Sequence, residues 1–168
     1  ERVQEEAYID PLTGLANRRS FNMRLQHLIN ETSDVKQGAV IFTRIRDLAK
    51  INNNIGYQQA DELIVQIATT IRRCTSKFNE LFVARVSGEG FGVLMPGADI
   101  DTANELAKEL AYQIPLGEGE LAELGACNIG GAWYSGAVQS GDLLAKADMA
   151  LRAVSNKAVL PQGLIAFM

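Results

Sequence analysis

The stretch Arg85–Pro96 holds the residues best suited to chemistry. It reads Arg-Val-Ser-Gly-Glu-Gly-Phe-Gly-Val-Leu-Met-Pro, in which an apolar strand (Leu81–Val86) enters a turn of small residues and a second strand (Phe91–Met95) leaves it. Glycine lets backbone amides approach a phosphate, and a carboxylate such as Glu89 can hold a magnesium ion. The same pattern is typical of an ordinary β-hairpin. The hairpin alone therefore does not decide between a phosphate- or metal-binding turn and a purely structural one.

The elements around this hairpin predict an α/β fold. Ala39–Ile45 is β-branched and apolar, which is typical of a central strand, and Arg44 and Arg46 at its far end fall on one face by period-two alternation. Helical spacing of apolar residues predicts helices after a Ser20 cap, over 60–71, after an Asp101 cap, and over 143–154. Further strands are expected over 125–133 and 164–167. This alternation predicts a mixed central β-sheet flanked by helices.

The composition excludes several classes of protein. The chain has 168 residues, 47% of them hydrophobic, which is long enough for one domain with its own core. A net charge of −4 without a basic cluster argues against nucleic acid as a partner, since duplex binders concentrate Lys and Arg. Cys74 and Cys127 lack metal-ligand spacing, so reduced, idle thiols are expected. No apolar run is long enough for a membrane span.

Two further motifs change the interpretation of the hairpin. Asp10-Pro-Leu-Thr-Gly-Leu-Ala-Asn-Arg-Arg19 lies about seventy residues upstream of it, and Ala147-Asp-Met-Ala-Leu151 lies near the end. Together with Ser87, Gly88, Glu89, Gly90 and Phe91, these motifs resemble the diguanylate cyclase (GGDEF) family in order and spacing, from Asp10 to about Phe167. The resemblance implies a nucleotidyl cyclase-like, palm-type fold. Members of the family condense two GTP molecules into cyclic di-GMP.

The resemblance also implies that the metal site is lost. In the family the first strand ends in Asp-x-Asp, and the first Asp binds the metal together with the hairpin acid. Those positions hold Arg44 and Arg46 here, and a guanidinium cannot ligate magnesium. The second hairpin acid of the family corresponds to Gly90. We therefore expect neither a metal nor another cofactor, and we predict that Arg44 pairs with Glu89 where the ion lies in the family.

The nucleotide contacts that the family implies are only partly retained. The phosphate-binding cations correspond to Ala49, Ser155 and Val159, with Lys50 adjacent to the first and Lys157 out of register with the others. By contrast, the two residues that hold the guanine edge correspond to Asn52 and Asp61, which are intact and suit guanine. Asn52 is equally typical of a turn and Asp61 of a helix start. A vestigial guanine site that binds nucleotide weakly is therefore one expectation.

The inhibitory product site of active members is expected to be absent. Its Arg-x-x-Asp motif corresponds to Phe78-Asn79-Glu80-Leu81, and only Arg85 persists nearby. An isolated arginine at a strand end is typical of a solvated surface, which is the prediction for Arg85.

Together these features predict a catalytically inactive GGDEF-type domain, not an enzyme, cut from a longer bacterial signalling protein. Residues 1–9 are expected to end an upstream signalling helix and residues 10–168 to form the domain. The expected partners are that helix and a downstream EAL-type domain of the same chain, as in membrane receptors of the LapD type. The domain would then lie on the cytoplasmic side of an inner membrane, with homodimerisation of the full-length protein open. A GTP-binding allosteric module and a residual cyclase are the alternatives.

Overall fold

A mixed six-stranded sheet lies at the centre of a computed structural model that describes residues 7–30, 37–78, 80–114, 127–155 and 165–167. Its strands are β1 (Ala16–Asn17), β2 (Gln37–Ile45), β3 (Phe82–Arg85), β4 (Gly90–Pro96), β5 (Cys127–Ser135) and β6 (Ile165–Phe167). Their spatial order is β1-β3-β4-β2-β5-β6, with β1 parallel to β3 and β6 parallel to β5. The remaining neighbours are antiparallel, which confirms the predicted mixed sheet.

Four long helices accompany the described strands: α1 (Arg18–Asn30), α2 (Leu48–Thr75), α3 (Ile100–Gln113) and α4 (Ser140–Ser155). Two predicted caps were wrong. Asn17 caps α1: its side-chain oxygen accepts a hydrogen bond from the backbone amide of Ser20 at 3.0 Å, so Ser20 is the donor and not the cap. Asp99, two residues before the predicted Asp101, caps α3 by accepting from the Thr102 amide at 2.7 Å. Each cap lies where the chain is still extended, which sequence spacing alone does not reveal.

The helices cover both faces of the sheet. On one face, α1 and α4 bury residues such as Phe21, Leu25 and Leu143 against alternate residues of β2 and β4. On the other face, α2 and α3 contribute a larger cluster that includes Ile64 and Leu106. Because side chains alternate along a strand, β2 serves both clusters, with Val40 on the first face and Ile41 on the second. Strand β2 is thus covered by helices on both faces.

Helix α2 bends at Gly56, which has φ 84° and ψ 161°. A residue with a side chain rarely adopts a positive φ, so glycine is required at this bend. The bend divides α2 into a short first part after β2 and a long second part that packs on the sheet. Asn52 lies in the first part and Asp61 in the second.

Both cysteines are buried. Burial raises the pKa of the Cys127 thiol to about 12, so it stays protonated at neutral pH. Burial also raises the pKa of Cys74. Among the described helices, none combines the length and the apolarity needed to cross a bilayer.

Candidate functional site

The hairpin between β3 and β4 fixes Glu89 by its backbone. The Val86 amide donates to the Gly90 carbonyl at 2.9 Å, which closes the turn. The Ile45 amide donates to the Glu89 carbonyl at 2.8 Å, so the ladder between β2 and β4 continues into the turn. The carboxylate of Glu89 is therefore presented beside the end of β2.

Arg44 lies opposite this turn and contacts Glu89. Its Nε donates to Glu89 Oε1 at 3.1 Å, the ion pair that the sequence predicts. The two side chains are 43% and 37% exposed, so solvent screens the pair and it contributes at most about 1 kcal/mol to stability. A magnesium ion does not fit this arrangement, because Arg44 offers only N–H donors and places a positive charge 3.1 Å from Glu89 Oε1, beside the carboxylate that would ligate the ion.

Arg46 does not join this pair. Its Nε donates to Asn128 Oδ1 at 2.7 Å, on the neighbouring strand β5. Asn128 lies directly opposite Arg44 in the antiparallel ladder between β2 and β5, so its side chain is on the face of Arg44, and Arg46 reaches toward the face that the sequence predicts. Arg44 bonds to the hairpin turn on one side of β2, and Arg46 bonds to β5 on the other side.

Arg85 is largely buried and forms an ion pair, in contrast to its prediction as a solvated residue. Its side chain is 16% exposed, and it pairs with Asp10, whose carboxylate oxygens lie 3.3 and 3.4 Å from Arg85 Nη1. Arg85 Nη2 also donates to the Gly88 carbonyl at 2.8 Å, so one guanidinium joins the start of the domain to the tip of the hairpin. The prediction of a solvated strand-end arginine was wrong.

Asp10 is held by a local turn as well. Its Oδ2 accepts from the Thr13 amide at 2.9 Å and from the Thr13 hydroxyl at 2.7 Å. Burial disfavours the charged form, but the hydrogen bonds from Thr13 and the charge of Arg85 outweigh it and hold the pKa of Asp10 below its ordinary value. The spacing Asp-x-x-Thr is a signal for such a turn that the sequence analysis could have used.

The segment before Asp10 is anchored to α1. Ala7 and Tyr8 are helical, and their carbonyls accept from Asn17 Nδ2 at 3.0 Å and from Ser20 Oγ at 2.8 Å. The Arg19 guanidinium also lies 5.5 Å from the centre of the Tyr8 ring. These side chains satisfy carbonyls at a helix end, where no partner exists within the helix itself. Ser20, predicted as a helix cap, has this role instead.

The two predicted guanine contacts lie on α2 on either side of its bend. Asp61 is exposed and lines an open groove with Leu12, Gln58, Glu62, Val65 and Gln66. Asn52 is partly buried and does not line that groove. No lysine or arginine is among the described residues of the groove, so these residues offer no positive charge for a triphosphate.

The family's phosphate-binding cations correspond to Ala49, Ser155 and Val159. The two of these that the structure describes, Ala49 and Ser155, carry no positive charge. Ala49 is exposed in the first turn of α2, next to the exposed Lys50. Ser155 ends α4, while Lys157 and Val159 lie outside the described residues.

The two positions that correspond to the Arg and the Asp of the inhibitory site hold apolar residues that pack against the core. Phe78 and Leu81 are partly buried and pack against the larger hydrophobic cluster, while Glu80 has a left-handed φ of 61°. Asn79 lies outside the described residues. Within the described ranges, no group of three or more potential metal ligands among His, Cys, Asp and Glu comes together.

Comparison with known proteins places the chain in a family. The profile of the GGDEF domain of diguanylate cyclases matches residues 7–158, and the chain belongs to this family. It is 31% identical over 163 residues to the diguanylate cyclase TpbB of Pseudomonas aeruginosa, covering 93% of this chain and 37% of that protein. It is 27% identical over 161 residues to the diguanylate cyclase DgcM of Escherichia coli, covering 93% and 38%.

Solved structures agree on the fold. The isolated GGDEF domain of TpbB (YfiN) from P. aeruginosa superposes with a TM-score of 0.80 at 29% identity, covering 95% of this chain and 94% of that one. The chain spans 29–51% of the length of the first curated relatives it matches. It is therefore a GGDEF domain of the kind found in cyclic di-GMP signalling proteins, with the predicted cyclase-like fold.

Proposed function

We propose that this chain is a catalytically silent GGDEF domain, not an enzyme, within a bacterial cyclic di-GMP signalling protein. The observation that carries the proposal is the ion pair between Arg44 and Glu89, in which a guanidinium stands beside the carboxylate and supplies a positive charge instead of a second oxygen ligand. Phosphoryl transfer depends on a metal and on cations to neutralise developing charge, and Ala49 supplies none. Gly90 has no side chain that could assist the attacking hydroxyl.

The domain, residues 10–168, relays conformation from a helix that ends at residues 1–9 to an EAL-type domain that follows. Support comes from the hydrogen bonds of Asn17 and Ser20 to the carbonyls of Ala7 and Tyr8. Support also comes from Arg85, which joins Asp10 to the hairpin. A rotation of the preceding helix would move α1 and the hairpin with it. Such regulation needs contacts that differ between two states of the whole protein.

The setting we propose is the cytoplasmic side of an inner membrane, in a receptor of the LapD type. One solved relative of the fold is the S helix-GGDEF-EAL portion of LapD from Vibrio cholerae, with a TM-score of 0.82 at 20% identity over 99% of this chain and 38% of that one. That likeness concerns the fold. Sequencing the full-length gene would test whether a helix precedes this domain and an EAL-type domain follows it.

We expect no cyclic di-GMP when this chain is incubated with GTP and either magnesium or manganese. The variant Arg44→Asp should also give none, because Gly90 and Ala49 still lack the acid and the cation. Product is measured by chromatography, with the full-length diguanylate cyclase TpbB as the positive control. Product above the no-enzyme background from the unaltered chain would identify a residual cyclase and overturn the proposed silence.

We expect a one-residue insertion between Ala7 and Tyr8 of the full-length protein to change its output strongly. The insertion lies in the helical turn before Asp10, so it rotates the preceding helix by about 100° relative to the domain. Ser20→Ala should weaken the response to the insertion, because it removes a hydrogen bond to the Tyr8 carbonyl and leaves the Asn17 cap of α1 in place. Output that stays constant across insertions of one, two and three residues would leave the domain as a passive spacer.

A second candidate function is a GTP-binding allosteric module that regulates a linked phosphodiesterase. The observation that favours it is the retention of Asn52 and Asp61 on the two sides of the Gly56 bend. Calorimetric titration with GTP and ATP separates the two functions. Guanine-selective binding that Asp61→Ala abolishes supports the module, whereas equal or absent binding supports the relay alone.

A further inference from the structure

The exposed face of α1 carries charges of one sign. The helix contains Arg18, Arg19 and Arg24 and no acidic residue, and all three arginines are exposed. None of them forms an ion pair with a residue that the structure describes. The whole chain has a net charge of −4, so this face has the opposite sign to the molecule around it. It is therefore suited to an acidic partner.

Two of these arginines contact aromatic rings and flank an exposed methionine. The Arg19 guanidinium lies 5.5 Å from the centre of the Tyr8 ring. The Arg24 guanidinium lies 5.6 Å from the centre of the Phe82 ring. Such contacts order a guanidinium and leave its N–H edges for a carboxylate. Helix geometry places Arg19 about 40° to one side of Met23 and Arg24 about 100° to the other, and Met23 is 52% exposed. We call Arg19, Met23 and Arg24 the basic surface.

The middle of α2 carries the opposite charge. Between residues 51 and 71 its only charged residues are Asp61 and Glu62, which are exposed and form no ion pair with a described residue. Tyr57 and Val65 lie one turn before and one turn after Asp61, and they are 74% and 36% exposed. The open groove beside Val65 has a volume of about 460 Å³. We call Tyr57, Asp61, Glu62 and Val65 the acidic surface.

The two remaining long helices expose charges of both signs. Helix α3 exposes Glu105 and Lys108 one turn apart, and α4 exposes Asp142 and Lys146 one turn apart. Opposite charges on one helix face compensate each other, so neither helix favours a partner of one sign. Among the described long helices, the face of α1 and the middle of α2 thus carry single and opposite charges. An arginine fork pairs well with a carboxylate, and a flexible methionine fills an irregular apolar groove.

We infer that the basic surface of this chain docks on the acidic surface of a second copy of the chain. The two arginines face the carboxylates of the other copy, and Met23 enters its groove. Because α1 and α2 cover opposite faces of the sheet, the contact is head to tail, and a pair of copies still has one free surface of each kind. Association therefore forms rows instead of closed dimers. The inference goes beyond the proposed relay and does not depend on the absence of catalysis.

A contact between two helix faces is small, so its dissociation constant is expected to be on the order of 0.1–1 mM. It is measured by two-dimensional NMR of the isotope-labelled chain, diluted from about 1 mM to about 0.02 mM. Amide shifts at both surfaces should change on dilution and follow one binding curve. Raising the concentration of NaCl from about 0.05 M to about 0.5 M should weaken the association several-fold, because salt screens exposed charges.

Two double variants separate the surfaces. Arg19→Gln/Arg24→Gln removes the charges of the basic surface, and Asp61→Asn/Glu62→Gln removes those of the acidic surface. Each variant alone should associate about fivefold more weakly, or worse, than the unaltered chain. An equimolar mixture of the two should regain association, because one copy keeps a basic surface and the other keeps an acidic one. In that mixture, each labelled variant should shift only at the surface that it retains.

Glu105→Gln/Lys108→Gln is the matched control, because it removes exposed charges of α3 outside both surfaces and should leave the association unchanged. Arg19→Lys/Arg24→Lys keeps the charge and should restore part of the loss. The replaced residues are exposed, and spectra of the dilute variants check that the fold is intact. A chain that stays monomeric at about 1 mM, or dilution shifts at one surface only, would overturn the contact. A mixture that associates no better than its components, or an equal loss in the control, would overturn it as well.

Discussion

Gly130→Ala should lower the free energy of unfolding by about 3 kcal/mol, the largest effect we expect from an added methyl group among the glycines with described surroundings. Gly130 lies in β5 directly beneath α4. A Cβ atom there would lie 2.3 Å from the Leu151 amide nitrogen and 2.6 Å from its Cα. These are backbone atoms, so no side chain can rotate away and the whole helix must shift from the sheet. The midpoint of thermal unfolding should fall by roughly 10 °C.

Gly141→Ala is the matched control, because Gly141 lies in the first turn of the same helix and a Cβ there meets nothing within 4 Å. Alanine should stabilise the domain slightly, by about 0.5 kcal/mol, since it restricts the unfolded chain and favours the helix. Both variants are compared by urea denaturation. Unfolding of Gly130→Ala at the same urea concentration as the unaltered chain would show that α4 does not pack closely against Gly130.

The pair between Asp10 and Arg85 should give the second largest effect. Replacing Arg85 with Leu removes the partner of a largely buried carboxylate and the bond to the Gly88 carbonyl. We expect a loss of about 2 kcal/mol in the free energy of unfolding, because a charge that is left buried without its partner keeps its desolvation cost. The variant should also lose the link between the hairpin tip and the segment before Asp10. Backbone amides in both segments should then exchange hydrogen with solvent faster.

The contribution of Asp10 should depend on pH. The pKa of Asp10 lies below its ordinary value of 3.8 in the folded chain, so the folded state favours the ionised form. Its stabilisation is fully present above about pH 4 and is lost as the pH falls through the lowered pKa. The stability difference between the unaltered chain and Asp10→Asn should therefore be constant near neutral pH and shrink below about pH 4.

Glu109→Gln is the comparison for this pH experiment. Glu109 pairs with Lys77 at 2.8 Å, but Lys77 is 60% exposed and the pair is open to solvent. Its removal should have a much smaller effect than the loss of Asp10. An equal effect of the two changes at neutral pH would contradict the distinction drawn between a shielded pair and a solvated one.

Local patterns in the sequence were sufficient for most of the fold. Apolar periodicity located α3 and the long second part of α2, because a helix that packs on a sheet must bury one stripe of residues. It located β2 within two residues, since a central strand is apolar on both faces. The strand β1 was not predicted, because Ala16–Asn17 is too short for any alternation and exists only through pairing with β3.

The sequence by itself determined which residue types stand at the site, and the tertiary structure decided which partners their side chains contact. Arg44 stands where the family has a metal-binding aspartate. A guanidinium is a hydrogen-bond donor whatever its surroundings, so this much can be read from the sequence alone. The partners of Arg44, Arg46 and Arg85 depend on residues up to 82 positions away, and which strand end faces which turn is fixed only when the sheet assembles. Whether Arg85 is solvated or buried is likewise a property of the packed molecule, because the depth of a side chain depends on what covers it.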